Sequence, residues 1–501
     1  MNVGGAPPLR SPANAGLTMR TVDGHVVEWP RYSRAPTRRI CHIGVGAFHR
    51  AHQAFVLHRL LQTGDAEGWG ICGIGLRAAD RPLHAALRRQ DGCYSLWELD
   101  GSRRRVTVVG AITDHIDASL DVEPALRVLA DAATAIVSLT VTEAGYCLRA
   151  DGTLDTAHPD IVHDLADPQA PRSAPALLVL ACARRRAAAL PGFTAMSCDN
   201  LLANGERLKA AVCGFARSFD ASLAAWIETH VSFPCSMVDR ITPVTTPERR
   251  DALCAAWGVA DEVPVICEPW LQWIIEDRFV AGRPPFEKAG ARFSDAVPRY
   301  ETMKVGLLNG GHSAIAHAGL LLRHSRVHDA VADPLIADWL AAYQREVADV
   351  LDAPPGVDLA DYCRQLARRF ANPAIDDRLQ RLAQDTREKF RQVLLPPLRL
   401  RLAAGLGIDA LATAVALWIA YLAELAVDAA AREAYQDVDR DALIAIGAAA
   451  HQGATSAAFV DAVLPLPDAE ALVLARAVDA ALHELRAGDI AALLRGVAAA
   501  R

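Results

Sequence analysis

Arg38–Gly46, RRICHIGVG, is the stretch on which the fold of this chain turns. It reads as a buried strand entering a glycine turn, and Ala47–Gln62 beyond it has helical character. A second apolar run, Trp69–Leu76 (WGICGIGL), follows at the distance expected of a βαβ unit. Gly44 and Gly46 stand where a tight turn, and close backbone approach to a pyrophosphate at a helix N-terminus, call for residues without Cβ. His49 takes the place of the third glycine of G-x-G-x-x-G, so the fingerprint is incomplete. Ala47, Phe48 and Arg50 join the two glycines as dinucleotide-binding candidates. In RAADR, Asp80 is a candidate for the ribose hydroxyls, whereas Arg77 and Arg81 would suit a 2′-phosphate. NAD and NADP both stay open.

Working outward, Tyr94–Leu99, Val106–Ile112, Ala135–Val141 and Phe193–Cys198 read as strands, with helices at Glu123–Ala133 and Ala174–Ala188. This alternation predicts an α/β, doubly wound sheet whose ligand lies beyond the C-terminal strand ends. Two polar turns fall there, TVTEAG (Thr140–Gly145) and SCDN (Ser197–Asn200), and Thr142 and Glu143 are added to the cofactor-binding candidates. Beyond Pro285 the character changes. Met303–Arg501 is Ala- and Leu-rich with helical periodicity, broken at Pro354-Pro355, Pro373, Pro396-Pro397, Gly405 and Pro465–Pro467. The predicted organisation is a flexible extension over 1–37, a Rossmann-type dinucleotide-binding domain over 38–290, and a mainly α-helical substrate-binding and catalytic domain over 291–501.

Composition narrows the function. Hydrophobic content of 52% with 22% charged residues describes an ordinary globular protein, and 501 residues can build two or more cores. A net charge of -7 argues against nucleic acid as a partner. The eleven cysteines form no CxxC pair and read as reduced core thiols of a cytoplasmic protein. No apolar h-region opens the chain, and the longest apolar run, Leu411–Val427, is interrupted by Glu424, so no membrane span is expected. Cys41, His42, His49 and His52 cluster, but neighbours on a strand face opposite ways, and no closed zinc spacing results. No G-x-S-x-G elbow is present.

The second stretch that carries chemistry is ETMKVGLLNGGHSAIAHAGLLL, Glu301–Leu322. In a helix, Lys304, Asn309 and His312 project within an arc of somewhat under half a turn; alternatively a helix begins just after Asn309, at Gly310-Gly311. An ordinary amphipathic helix would use such residues as snorkelling and capping groups. Their convergence in an apolar run suggests instead a desolvated Lys acting as a base, beside an amide that steadies a developing oxyanion.

These stretches together resemble the polyol-specific long-chain dehydrogenases, a family that includes mannitol 2-dehydrogenase. The resemblance is carried by HIGVGAFHRAHQ, SCDNLLANG, SMVDRITPVT, EPWLQWIIEDRF, YETMKVGLLNGGHSAIA and PGVDLADYCRQLARRFANPAI, spread over roughly residues 38 to 400. It implies zinc-independent oxidation of a secondary alcohol, with hydride transfer to a nicotinamide. It places Lys304 as general base, Asn200 and Asn309 as the oxyanion site, and Glu301 as the carboxylate that passes the proton on. It assigns substrate hydroxyls to His312 and Asp239, beside Val238, and further substrate contacts to Arg381 and Lys389. Bland roles remain for some of these: an Asp239–Arg240 ion pair, and a solvated helix face for Arg381 and Lys389.

Three departures touch the substrate. Leu202-Ala203 stands where the family commonly has Pro-His, Thr386-Arg387-Glu388 replaces a Gly-Ser-Ser run before the lysine, and His317-Ala318 replaces a Tyr-based sequence. The expected reaction is D-mannitol to D-fructose by a monomer or small homo-oligomer. D-arabinitol oxidation at C4 and hexuronate reduction are the alternatives, the latter with Arg381, Arg387 and Lys389 as a carboxylate clamp. A non-catalytic dinucleotide sensor is the alternative from another class.

Overall fold

The computed structural model describes residues 7–9, 21–22, 24–488 and 490–499. The chain divides into two units, Met1–Val297 and Pro298–Arg501.

The first unit is built on five parallel strands: β1 (Arg38–Ile43), β2 (Trp69–Gly75), β3 (Ile112–Asp117), β4 (Thr134–Leu139) and β5 (Thr194–Ser197). Their order is β3-β2-β1-β4-β5, so the winding reverses between β1 and β4. A parallel sheet is covered on both faces, which is why these strands are continuously apolar rather than alternating. Ile43, Cys72 and Val137 pack on one side with Leu126 and Leu177, from helices Glu123–Ala130 and Ala174–Ala187. Ile40, Ile71 and Ile136 pack on the other with Val56 and Leu60 of helix Gln53–Gln62.

One expected strand is divided. Val106–Ile112 contributes to two elements: Arg103–Val109 runs antiparallel to Tyr94–Asp100 in a separate three-stranded sheet, and β3 begins at Ile112. The chain turns at Gly110, where a Cβ would lie 2.7 Å from the Pro30 ring. Val106–Val109 before the turn and Ile112 after it are alike β-branched, so periodicity alone does not mark the division.

A further strand, β6 (Ser236–Asp239), pairs antiparallel with Gln272–Ile275, setting Val238 opposite Trp273 and Asp239 opposite Gln272. Of the stretch 1–37, much lies outside the described residues. Within its described part Trp29 is buried against Trp257, and Arg34 donates to the carbonyls of Gly110 and Ile112.

In the second unit the described elements are all helical. Asp409–Val427 is its central helix, long and apolar enough to cross a membrane, yet 78% of its apolar window is buried. Helices Arg440–His451 and Asp468–Arg486 pack on it. Pro396 and Pro397 fall in the first turn of helix Leu395–Ala403 rather than in a break, because a first-turn residue needs no N–H partner.

Candidate active site

Dinucleotide chemistry is expected at the C-terminal edge of the parallel sheet, and a cleft of about 650 Å³ opens there. Gly44, Arg77, Asp80 and Thr142 of the expected residues line it, together with Arg81, Ser119 and Thr140. Gly44 has φ +90°, and a Cβ on it would lie 2.1 Å from the Thr140 carbonyl oxygen. It is glycine because β1 and the turn after β4 touch at that point. Gly46 differs: its φ is -96°, and the nearest atom to an added Cβ is the Gly44 oxygen at 4.0 Å. The protein leaves open the space beside Gly46, at the N-terminus of helix Ala47–Ala51. A backbone cradle that only a Cβ would fill fits a pyrophosphate.

The missing third glycine has a local explanation. His49 is buried with its ring stacked 3.4 Å from that of His42, so an imidazole pair spaces the helix from β1. His42 bonds Ser138 Oγ at 2.8 Å and Thr140 Oγ1 at 2.9 Å, and burial drives its pKa down to about 3. Cys41 lies in the core on the opposite face of the sheet, near Thr134.

The other dinucleotide candidates are placed as follows. Asp80 accepts from the Arg77 backbone N–H at 3.2 Å, closing the turn after β2. Arg81 reaches β3, bonding Ser119 Oγ at 2.9 Å and lying 3.6 Å from Asp117. Phe48 stacks on His52. Arg50 is buried, donates to the Gly46 and Val263 carbonyls and lies over the Tyr94 ring. Ala47 opens the short helix that follows Gly46. Glu143 pairs on the surface with Arg207 at 3.0 Å.

Thr142 is the backbone outlier of this edge, with φ +63° and ψ 169°, a region open in practice to glycine alone. A β-branched residue there costs of order 1–3 kcal/mol and needs an external hold. Asp199 supplies it: one carboxylate oxygen accepts from Thr142 N–H at 2.9 Å, the other from Val141 N–H at 3.1 Å. Tyr146 O–H donates to the same carboxylate at 2.7 Å. Burial raises the Asp199 pKa, and the tyrosine and the two amides oppose that rise.

Asp199 precedes Asn200, which is exposed at the end of β5. The backbone carbonyl of Asp199 accepts from Asn204 Nδ2 at 3.0 Å, and the same amide donates to Ser236 O at 2.7 Å. Asn204 Oδ1 in turn accepts from Ser236 N–H at 2.9 Å. Gly205 follows because a Cβ there would lie 2.7 Å from backbone atoms of Phe233, Pro234 and Cys235. SCDNLLANG thus ties β5 to β6, which carries Val238 and Asp239, both buried. Asp239 accepts from Trp270 Nε1 at 3.1 Å. Its neighbour Arg240 is committed elsewhere, to Glu98 at 2.5 Å and to the carbonyls of Glu268 and Ala51.

In the second unit, Lys304–Asn309 forms a π turn between helices Val297–Met303 and Gly310–Leu321. The helix therefore neither breaks at Gly310-Gly311 nor stays regular. Five residues along an α-helix separate two side chains by about 140°, whereas the wider i→i+5 winding brings Asn309 closer to the face that carries Lys304. Close packing accompanies the wide turn: Cβ atoms at Gly306 and Gly310 would lie 2.9 Å from Val347 Cγ1 and 2.4 Å from Tyr343 Oη. Lys304 and Glu301 are each 6% exposed. His312 stacks on Phe370 with centroids 4.2 Å apart.

The remaining candidates have partners of their own. Arg381 is held bidentate by Asp377 at 2.9 and 2.6 Å. Lys389 is half-buried and donates to the carbonyls of Leu382 and Gln384 at 2.9 and 2.6 Å. Burial lowers its pKa, against Asp385, which raises it. Thr386–Val393 is a helix, and on it Arg387 turns to Asp439 and the Ala462 carbonyl. His317 is core, among Phe390, Trp418 and Tyr421.

Sequence reasoning passed over Asp199 and Asn204, although both lie in a motif it quoted. Their signal was a run of short polar residues after an apolar strand, which read only as a polar turn at the ligand-binding edge.

The comparisons agree with this architecture. The model of the mannitol dehydrogenase Rossmann domain matches residues 38–288, and that of the mannitol dehydrogenase C-terminal domain matches residues 296–475. Mannitol 2-dehydrogenase of Cereibacter sphaeroides is 44% identical over 396 residues, covering 78% of this chain and 82% of that one. D-mannonate oxidoreductase of Escherichia coli (strain K12) is 44% identical over 388 residues, covering 76% and 79%. Among solved structures, the ternary complex of Pseudomonas fluorescens mannitol 2-dehydrogenase with NAD and D-mannitol matches with TM-score 0.82 and 36% identity, covering 98% of this chain and 99% of that one. Substrate-free D-sorbitol dehydrogenase matches with TM-score 0.84 and 30% identity, covering 97% and 100%. With a Rossmann-type sheet, a helical second unit and both family models matched along its length, the chain belongs to the mannitol dehydrogenase family of polyol oxidoreductases.

Proposed function

We propose that this chain oxidises a secondary alcohol of a neutral sugar alcohol to the ketose with NAD, D-mannitol to D-fructose being the assigned reaction. The observation that carries the reading is the buried Lys304, which opens a π turn ending at Asn309 in a chain of this family. Bound NAD supplies the hydride acceptor. Lys304 takes the proton from the carbinol oxygen as the C–H bond on the same carbon gives up its hydride, and Glu301 passes that proton toward water. For Lys304 to serve near neutral pH, its pKa must fall by roughly three units from about 10.4. Asn200 and Asn309 donate to the oxygen as negative charge grows on it, a role worth about 2.7–4 kcal/mol per donor in other enzymes. His312 and Asp239 hold further hydroxyls beside Val238, with Arg381 and Lys389 at the far end of the substrate. Asp80 lines the cleft and the guanidinium of Arg81 is already paired there with Asp117 and Ser119, which supports NAD over NADP.

The polar partners also favour a neutral substrate. Arg381, Arg387 and Lys389, the cations a sugar acid would need, are already bound to Asp377, to Asp439 and to two carbonyls. A second reading, a sugar acid as substrate, draws on the likeness to D-mannonate oxidoreductase. Eleven free cysteines, ten of them buried, support a reducing cytoplasm as the working compartment. NADH oxidation followed by absorbance, with NADH crossed against NADPH and fructose against xylulose, fructuronate and tagaturonate, tests the assignment. Turnover of a neutral ketose supports it, and turnover of a uronate alone overturns it. Lys304→Ala should abolish turnover with NADH binding retained; loss of NADH binding would remove Lys304 from the role of base.

A further inference from the structure

We infer that Asp199 is a positioning residue: its carboxylate fixes the strained turn after β4 and thereby sets the dinucleotide cleft in register with Asn200. The inference rests on the reading of this site as a dinucleotide-dependent dehydrogenase. Three of the segments that carry proposed functional groups of the first unit are Thr140–Gly145, Ser197–Asn200 and β6. Each is secured by a buried side chain of SCDNLLANG. The Asp199 carboxylate accepts from two consecutive backbone N–H groups of the first segment. Asn204 joins the backbone of Asp199 to both backbone polar groups of Ser236.

Geometry explains why this residue type is needed. Consecutive N–H groups that converge on one side call for two acceptor atoms in one plane, which a carboxylate has and an amide lacks. All three of its partners from other segments donate, so an asparagine would place an N–H against an N–H. Thr142 would then lose the hold on its φ of +63°, and the cleft wall it forms would relax. Tyr146 is bound to the same carboxylate without forming part of the turn's backbone restraint, and it also contacts Ser197 Oγ at 2.5 Å. It therefore separates buried hydrogen bonding in general from restraint of the turn.

The test compares Asp199→Asn with Tyr146→Phe in the full chain, by NADH fluorescence titration, steady-state kinetics and thermal melting. Asp199→Asn is expected to raise the NADH dissociation constant and the KM for NAD at least tenfold, with a smaller change in kcat. Tyr146→Phe is expected to lower the melting temperature yet keep both constants within threefold. Parental NADH affinity in a folded Asp199→Asn overturns the inference, and so does an equal rise of KM in Tyr146→Phe. Where Asp199→Asn does not fold, hydrogen exchange on the wild-type chain decides. Slow exchange of the amides of residues 141 and 142 without NADH supports the clamp, and exchange at open-loop rates overturns it. A wild-type chain that binds no NADH refutes the proposed function, and the exchange result still judges the clamp.

Discussion

Gly44 and Gly46 stand two residues apart in one turn, and alanine at each should have opposite consequences. At Gly44 a methyl group would meet the Thr140 carbonyl oxygen at 2.1 Å, and the backbone sits at φ +90°. The turn has little freedom to recede, because Thr140 N–H is bonded to Ile43 O at 2.9 Å and Thr140 Oγ1 to Gly44 O at 2.6 Å. A left-handed backbone costs an alanine about 1–2 kcal/mol, and overpacking adds about 1–3 kcal/mol. Gly44→Ala should therefore lower the stability of the first unit by roughly 2–5 kcal/mol, the sum of those two effects. At Gly46 the backbone is extended and nothing lies nearer than 4.0 Å. There the substitution should be neutral or stabilise by about 0.4–1 kcal/mol through the unfolded chain. Yet its methyl would occupy the space assigned to the pyrophosphate, weakening NADH at least tenfold, about 1.4 kcal/mol. Urea denaturation read alongside NADH titration measures both quantities. A Gly46→Ala chain that binds NADH as the parent does would refute the cradle, whatever its stability.

Three further expectations follow from burial. Arg240 and Glu98 form a pair whose side chains are 0% and 9% exposed, so Glu98→Gln should cost about 3–5 kcal/mol by urea denaturation. Gly310→Ala should destabilise the second unit by about 1–3 kcal/mol through its contact with Tyr343 Oη, and Tyr343→Phe should recover much of that loss in melting experiments. His42, His115 and His317 are held neutral by burial, with pKa values pushed down to about 3 from 6.5. The unfolded chain therefore binds more protons between those values, and stability should fall as pH drops below 6.5, with no contribution above it. Each histidine adds at most about 1.4 kcal/mol per pH unit, and melting of His317→Phe against pH should show a shallower acid limb.

The alternation of apolar strands and helices made the parallel sheet legible, because strands covered on both faces must be continuously apolar. The change to helical periodicity was legible for the same reason. Two other features were hidden. The boundary between Arg103–Val109 and β3 falls at Gly110-Ala111, between similar β-branched residues on either side, with Gly110 packed against Pro30. The π turn was hidden too, since its residues obey an α-helical pattern to within one position. Asp199 was visible as a letter but not as a role. Its partners are backbone amides more than fifty residues away, and backbone amides leave no mark on composition.

The π turn has a consequence for how this helix tolerates change in length. A π turn is an α-helix that has taken in one residue, so removing one residue between Lys304 and Asn309 restores regular winding without touching a chemical group. Lys304 and Asn309 would then stand four residues apart on an α-helix, about 40° out of line, so the faces upstream and downstream of the turn would keep their relation. Lys304 and His312, seven residues apart on a regular helix, would still address the same side. Alanine scanning cannot report this, because it keeps the count of residues. Val305–Leu308 thus holds one position more than regular winding between Lys304 and Asn309 needs.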